Sequence, residues 1–182
     1  MSVEEALARR RSLRELAPRP LTRGEISQLL WATQGVTGAD GDRAAPSAGA
    51  TFPLEIYVAT AEAVFRYRSQ GHLLATHRAG DRRRAIYDAA VEQEFLLQAP
   101  ATFVFTGVFG RSSRRYGPED APRYVHLETG HAAQNLLLQA VALGLGAVAV
   151  GAFYEDELLR ALALPRAHRP VYLVSVGESR PR

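Results

Sequence analysis

The run Leu136-Leu-Leu-Gln-Ala-Val-Ala-Leu-Gly-Leu-Gly-Ala-Val-Ala-Val150 constrains the fold more than any other part of the chain. Gln139 is its only strongly polar side chain, and Gly144 and Gly146 interrupt it. A membrane helix needs about 18 consecutive apolar residues or more, so this run is too short and too broken to span a bilayer. It predicts a buried helix that stops at Gly144 and turns into a buried strand over Ala147 to Gly151. A chain of 182 residues that is 47% apolar can close one sizeable core around such a unit. The expectation is therefore a single domain over residues 1–182. The N-terminus lacks the apolar segment of a secretory signal, and Glu4 and Glu5 stand where a mitochondrial presequence avoids acid, so a cytoplasmic protein is expected.

The remaining elements follow from caps and periodicity. Ser2 with Glu5 and Thr22 with Glu25 have capping-box spacing, predicting helices over Val3 to Arg9 and from Thr22 to about Gln34, the second stopped by Gly35. Ile26, Leu29, Leu30 and Thr33 share one face of that second helix. Leu54 to Ala59, Val64 to Tyr67 and His72 to Thr76 read as strands, the last two joined around Ser69-Gln70-Gly71. Asp81 opens a helix to about Val91, and Ala101 to Val108 is the clearest central strand. Gly110 to Pro122 is polar and reads as irregular, which would place Phe109, Tyr116 and Tyr124 in a loop region that could face substrate. A long helix is expected from about Arg123 to Leu143, carrying Leu127, Gly130, Ala133, Gln134, Leu137, Ala140 and Val141 at helical spacing. A short helix over Glu155 to Leu162 and a strand over Val171 to Val176 complete the chain. Helices alternating with a block of strands predict an α/β (α+β) domain with a mixed sheet between helices. Gly130, Ala132, Ala133 and Ala140 would let a second copy's helix approach closely.

Composition removes several chemistries. There is no cysteine, hence no disulfide, thiolate nucleophile, iron–sulfur cluster or ordinary structural zinc site. All 22 basic residues are Arg, so a Schiff base, a P-loop lysine and a lysine general base are also excluded. Glu128 and His131 have the i, i+3 spacing of di-iron bundles, but no second such pair exists, and helix-surface hydrogen bonding is the simpler expectation. His72, His77 and His168 show no metal spacing, and Trp31 is expected in the core or an interface. A net charge of +3 with 19 scattered acidic residues argues only weakly for nucleic acid.

Two constellations remain. Arg10-Arg11-Ser12-Leu13-Arg14 follows the first helix, and an extended backbone there would put Arg10, Ser12 and Arg14 on one side, as a phosphate clamp or a solvated basic surface. Pro46-Ser47-Ala48-Gly49-Ala50-Thr51 exposes backbone through small side chains, either to a planar ligand or as a plain connection. Gly144-Leu145-Gly146 lacks the third glycine of a dinucleotide fingerprint and follows a helix, so no Rossmann site is expected there.

Taken in order, RRSLREL with LTRGEISQLLWA, PSAGATFPLEIYVA, ETGHAAQNLLLQAVALGLGAVAVGAF and VYLVSVGESR resemble the nitroreductase superfamily over essentially the full length. RRYGPEDAPRYVHLETGHAAQNL and FLLQAPATFVF look most like its SagB-type branch, whose members oxidise azolines in peptides. The resemblance implies an intertwined homodimer with shared FMN sites and a hydride-transferring oxidoreductase drawing on NAD(P)H to reduce a small nitro, quinone or enone acceptor. It implies that Arg10, Arg11, Ser12 and Arg14 hold the cofactor's phosphate, ribityl chain and pyrimidine edge. Pro46, Ser47, Ala48 and Gly49 would come from the other protomer. Val150, Gly151 and Ala152 would lie beside flavin N5, with the Gly151 backbone nearest, and Arg182 or Arg180 would complete the phosphate site. Flavin chemistry needs no catalytic side chain from the protein. The azoline dehydrogenases of the branch use a Lys-Tyr pair, which a chain without lysine cannot supply, so peptide azoline oxidation is the alternative reading. An Arg-rich nucleic-acid-binding domain is the alternative from another class, weakened by poor aromatic interleaving.

Overall fold

The structure is a computed structural model that describes residues 1–179. Its elements are α1 (Val3–Arg9), β1 (Leu16–Ala17), α2 (Arg23–Gln34), β2 (Leu54–Thr60), β3 (Ala63–Arg68), β4 (Leu73–Ala79), α3 (Arg83–Ala89), α4 (Phe95–Gln98), β5 (Ala101–Gly107), α5 (Phe109–Ala142), β6 (Gly146–Val150), α6 (Glu155–Ala161) and β7 (Arg169–Ser179). The seven strands form one sheet in which β1, β7, β5, β2, β3 and β4 follow in that order, and β6 also pairs with β7. Every ladder is antiparallel. The parallel character anticipated in a mixed sheet is confined to a single bridge, Ser12 to Ala147.

The caps act as the sequence suggested. Ser2 Oγ accepts the Glu5 amide at 3.2 Å. Thr22 and Glu25 form a reciprocal box, the Glu25 amide donating to Thr22 Oγ1 at 3.2 Å and the Thr22 amide to Glu25 Oε2 at 2.6 Å. Gly35 caps α2. Asp81 accepts the Arg83 amide at 2.9 Å, although the helix behind it ends at Ala89.

Alternate residues of the central strands feed two cores. Leu54, Ile56, Val58, Phe103, Phe105, Val174 and Val176 pack with α2 and α5 on one face. Tyr57, Ala59, Val104 and Leu173 pack with Ile86, Leu96, Leu158 and Leu162 of α3, α4 and the α6 region on the other. All seven residues of β5 are buried despite antiparallel neighbours. Its two hydroxyls are satisfied, Thr102 by the cross-strand Ser175 at 3.0 Å and Thr106 by donating to the Glu55 carbonyl at 2.9 Å.

The segment Gly110 to Pro122 departs from expectation. It is helical, forming the first part of α5, and the helix breaks only at Gly117 (φ 79°, ψ 162°) before Pro118 reopens it. Its polarity hid the helix because only Ser112 and Ala121 of that stretch are buried. The buried face of the second half is Val125, Glu128, Thr129, Ala132, Ala133, Leu136, Leu137 and Ala140, whereas Leu127 is 53% exposed. Trp31 is likewise 42% exposed in the single chain and lies outside its core. Among the described residues no helix is long and apolar enough to cross a membrane.

Two substitutions test this packing. Leu136 is fully buried between α5 and the sheet, and Leu136→Ala should cost about 2–5 kcal/mol in urea unfolding. A Cβ on Gly177 would fall 2.7 Å from Pro100 Cδ and 3.2 Å from Leu16 Cβ, so Gly177→Ala should cost roughly 1–3 kcal/mol. Val3→Ala, at an exposed position of α1, should stay within about 0.5 kcal/mol of the parent.

Candidate functional site

Two of the three anticipated segments meet within one chain. After α1 the backbone extends, the Leu13 amide donates to the Ala147 carbonyl at 2.9 Å, and Ser12 bridges to Ala147 in β6. Close packing fixes this register, since a Cβ on Gly146 would stand 3.1–3.3 Å from Ser179, Leu16 and Leu13. Strand β6 then delivers Val150 to the core and leaves Gly151 and Ala152 exposed just beyond its end. The Arg cluster and the Val150–Ala152 turn are thus carried by one pair of adjacent backbone segments.

The guanidinium groups of the cluster differ. Arg11 turns back onto its own helix, donating to the Ala8 carbonyl at 3.0 Å and the Arg10 carbonyl at 2.7 Å, which neutralises the negative end of α1. Arg14 reaches the other way, its Cζ 6.0 Å from the centre of the Phe95 ring. Among the described residues, Arg10, Arg11 and Arg14 have no carboxylate partner, whereas Arg9 pairs with Glu5 at 2.6 Å. Ser12 is exposed beside them. A cavity of about 170 Å³ opens between Arg9, Arg10 and Arg11 on one side and Leu137, Gly144 and Ala147 on the other. Neither Ser12 nor Arg14 lines this cavity, so the expected convergence of Arg10, Ser12 and Arg14 on one side is not what the side chains show. The segment still offers cations without carboxylate partners among the described residues and a hydroxyl, groups that suit a phosphate. Arg180 and Arg182 lie outside the described residues.

The third segment, Pro46 to Gly49, lies against other elements of the chain. Ser47 Oγ accepts the Phe52 amide at 2.9 Å, and Thr51 Oγ1 meets Ser112 Oγ of α5 at 3.1 Å. The turn is unusually wound, because Gly49, Ala50 and Phe52 all have positive φ (56°, 52° and 42°), a conformation that costs non-glycine residues energy. At Gly49 a side chain is excluded outright, since a Cβ would fall 2.4 Å from Arg115 Nε and 2.6 Å from the Tyr116 hydroxyl. Among the described residues none of the loop's hydrogen-bond partners belongs to the Arg10–Arg14 segment or β6.

A buried polar network holds this loop, and the sequence reading missed it. Glu128 was expected on a helix surface. It is instead 2% exposed, accepting a hydrogen bond from Gln34 Nε2 at 3.1 Å and lying near the Ser47 hydroxyl, while His131 is exposed. Arg43 donates to Gln34 Oε1 at 2.8 Å and stacks 4.2 Å from the Phe52 ring centre, closing the link from α5 through α2 to the loop. Nearby, Glu55 is clamped by Arg66 at 2.9 Å and by Arg111. Burial pushes the Glu55 carboxyl up, but the hydrogen bonds from Arg111 and Arg66 outweigh it and hold the group below the usual carboxylate range. Glu128 goes the other way: burial raises it, and the Ser47 hydroxyl and Gln34 amide beside it offset that only in part. The only signal for Glu128 in the sequence was its three-residue spacing from Val125 and four-residue spacing to Ala132 on the buried helix face.

Tyr116 and Tyr124 stack at 4.3 Å between ring centres, and Phe109 meets His126 edge-on at 5.8 Å, so these aromatics brace α5 across its kink. His168 and His77 are structural partners, as expected. His168 Nδ1 pairs with the Tyr57 hydroxyl at 2.7 Å, and His77 Nε2 faces the Leu162 and Ala163 carbonyls. No group of three or more metal-ligating side chains occurs among the described residues.

With this geometry in place, comparison with known proteins is decisive on class. The sequence profile of the nitroreductase family matches residues 7–178. A protein of Methanocaldococcus jannaschii provisionally named a nitroreductase is 39% identical over 183 residues, covering 97% of this chain and 91% of the relative. A crystal structure from Ralstonia eutropha, also provisionally named a nitroreductase, superposes with a TM-score of 0.91 at 30% identity, covering all of this chain and 85% of that one. The Escherichia coli microcin synthetase complex McbBCD, solved with truncated pro-MccB17 bound, contains a chain with the same fold at a TM-score of 0.83 and 18% identity, covering all of this chain and 74% of that one. The chain belongs to the nitroreductase family and is an oxidoreductase in class.

The raised Glu128 carboxyl gives a signed pH prediction. Between the unfolded-state pKa and the higher folded-state value the native protein binds more protons, so this residue's contribution falls as pH rises through that window. Denaturant unfolding from pH 4 to 8 should show Glu128→Gln gaining on the parent as pH increases. Glu128→Ala, which strands the Gln34 donor, should lose about 1–3 kcal/mol at pH 4, with the loss shrinking as pH rises.

Proposed function

We propose that the protein is an FMN-dependent oxidoreductase working as a homodimer, with each flavin held between protomers and NAD(P)H reducing it on behalf of a small nitro, quinone or enone acceptor. The observation that carries this reading is the Arg10–Arg14 segment: cations without carboxylate partners among the described residues, docked backbone-to-backbone on the strand that ends at Val150, next to Gly151. FMN, when bound, supplies a centre that accepts and returns hydride, which the protein's own side chains cannot do.

The chain's residues have the complementary tasks. Arg10 and Arg14 bind the phosphate, with the Ser12 hydroxyl donating beside them, and Arg11 contributes charge from its position on the end of α1. Val150, Gly151 and Ala152 present backbone where a side chain would obstruct a planar ring. Pro46, Ser47, Ala48 and Gly49 serve the site of the partner protomer. Supporting this, the loop is rigidly wound and anchored to α5, and its hydrogen-bond partners lie away from its own chain's Arg cluster. The exposed Leu127, Trp31 and Tyr154 provide apolar surface for such an association. Arg182 or Arg180 completes the phosphate site.

A second reading, oxidation of azoline rings in a peptide, is favoured by the shared fold with a chain of the microcin synthetase complex. The absence of lysine argues against it.

Purified protein supplied with FMN should quench the free flavin's fluorescence, and anaerobic NADH or NADPH should bleach the bound chromophore. Arg10→Ala and Arg14→Ala should each weaken FMN binding by about tenfold or more. Protein that leaves flavin fluorescence unchanged at every concentration defeats the proposal. Bleaching by an azoline peptide in place of NAD(P)H selects the second reading.

A further inference from the structure

A cavity of about 540 Å³ is lined by none of the three segments assigned above. It lies between the start of α2 and the β3–β4 hairpin, with Leu30, Phe65, Leu73 and Leu74 among its apolar lining. Its volume is in the range that encloses a small organic ligand.

Three polar side chains of its wall are linked in series. Ser27 Oγ lies 2.7 Å from His72 Nε2, and His72 Nδ1 lies 2.8 Å from the Tyr67 hydroxyl. The Tyr67 ring is 3% exposed and meets the imidazole edge-on, at 81° and 5.5 Å. Burial pushes the Tyr67 phenol up to about 12, so it stays neutral and acts only through its hydrogen bond. His72 occupies the left-handed region (φ 50°) at the end of the hairpin turn, where its amide donates to the Ser69 carbonyl at 3.1 Å. Arg23 stands one helical turn before Ser27 on the same face of α2, lines the same cavity, and has no carboxylate partner among the described residues.

The atoms are the correct ones for nucleophilic catalysis. With the imidazole proton on Nδ1 donating to the Tyr67 hydroxyl, Nε2 is free to accept the Ser27 proton, and Tyr67 orients the ring. We propose that Ser27, His72 and Tyr67 form an ester-hydrolysing site, distinct from the flavin region, that accepts carboxylic esters with a short apolar acyl chain. Ser27 Oγ attacks the ester carbonyl carbon as its proton passes to His72 Nε2, and the carbonyl electron pair moves onto the oxygen facing Arg23. Collapse of the tetrahedral species breaks the bond to the leaving alkoxide, which takes the proton from His72. Water, deprotonated by His72, then attacks the acyl-serine carbonyl and releases the carboxylic acid with Ser27 reprotonated. The sum is ester plus water to acid plus alcohol, with no oxidant or reductant. Ser27 and His72 are the catalytic residues, and Tyr67 is a positioning residue.

The test uses the full chain with p-nitrophenyl butyrate as substrate and a fluorophosphonate as covalent probe, the adduct located by peptide mass spectrometry. Saturable hydrolysis and an adduct on Ser27 are expected. Ser27→Ala and His72→Gln should lower hydrolysis by about 100-fold and abolish labelling. Flavin binding and the unfolding midpoint should not change, because Ser27 and His72 sit at the cavity surface. Tyr67→Phe, which keeps the ring and removes the hydroxyl, should lower kcat and shift the pH midpoint of hydrolysis without altering KM. An adduct elsewhere, no adduct, or a Ser27→Ala variant as fast as the parent overturns the proposal. Because neither readout involves flavin, failure here leaves the oxidoreductase reading standing, and the reverse also holds.

Discussion

Strand β7 is paired along both edges. One edge meets β5 from Arg169 to Val176, and the other meets β6 from Leu173 to Gly177 and then β1 at Glu178 and Ser179. Eleven residues therefore join the most buried strand of the sheet to the two segments that carry the Arg cluster and the Gly151 turn. Without that ladder β6 would have no partner at the sheet, and Leu13 would have no carbonyl at Ala147 to bond. Small residues make the arrangement possible, since Gly146 and Gly177 admit Leu13, Leu16 and Pro100 at distances a side chain would not allow. The position of the cationic segment is thus a consequence of packing at the sheet, reinforced where Arg19 ties the crossing chain to Glu178 and Glu25.

Elsewhere the organising element is polar. Gln34 of α2 bonds the buried Glu128 of α5, and the half-buried Arg43 donates to Gln34, beside the Ser47 loop. A network of this kind confers little net stability, but it specifies one geometry, because any slippage leaves a buried donor or acceptor unpaired. That is a reasonable way to hold a loop whose residues adopt costly backbone angles. The strain of Ala50 and Phe52 and the exclusion of a side chain at Gly49 fit a surface shaped for contact with something outside its own chain.

Local signals were read well wherever one residue satisfies another a few positions away. Ser2 and Thr22 cap their helices, Gly35 and Gly144 stop theirs, and β5 stood out because every residue in it is buried. Reading failed where the deciding partner was distant. The start of α5 looked irregular because it is polar, yet it is held helical above the Ser47 loop through Ser112 and Arg111, whose partners lie more than fifty residues away. Glu128 looked like a surface carboxylate because nothing adjacent in sequence announces Gln34, 94 residues distant. The Ser27–His72 contact spans 45 residues and had no local signature at all.

Four motifs in order, from RRSLREL with LTRGEISQLLWA through PSAGATFPLEIYVA and ETGHAAQNLLLQAVALGLGAVAVGAF to VYLVSVGESR, pointed to the family, because each depends on the identity of its own residues: guanidinium groups, small side chains, an apolar run broken by glycine. The tertiary structure alone decided which of them meet. It laid Ser12 on β6, turned Arg11 back onto α1, placed the Ser47 loop against α5, and buried Glu128 beneath it. These outcomes depend on strand pairing and side-chain burial between residues far apart in the chain. Such pairings are selected by the packing of the whole domain, and a linear sequence carries no local trace of them.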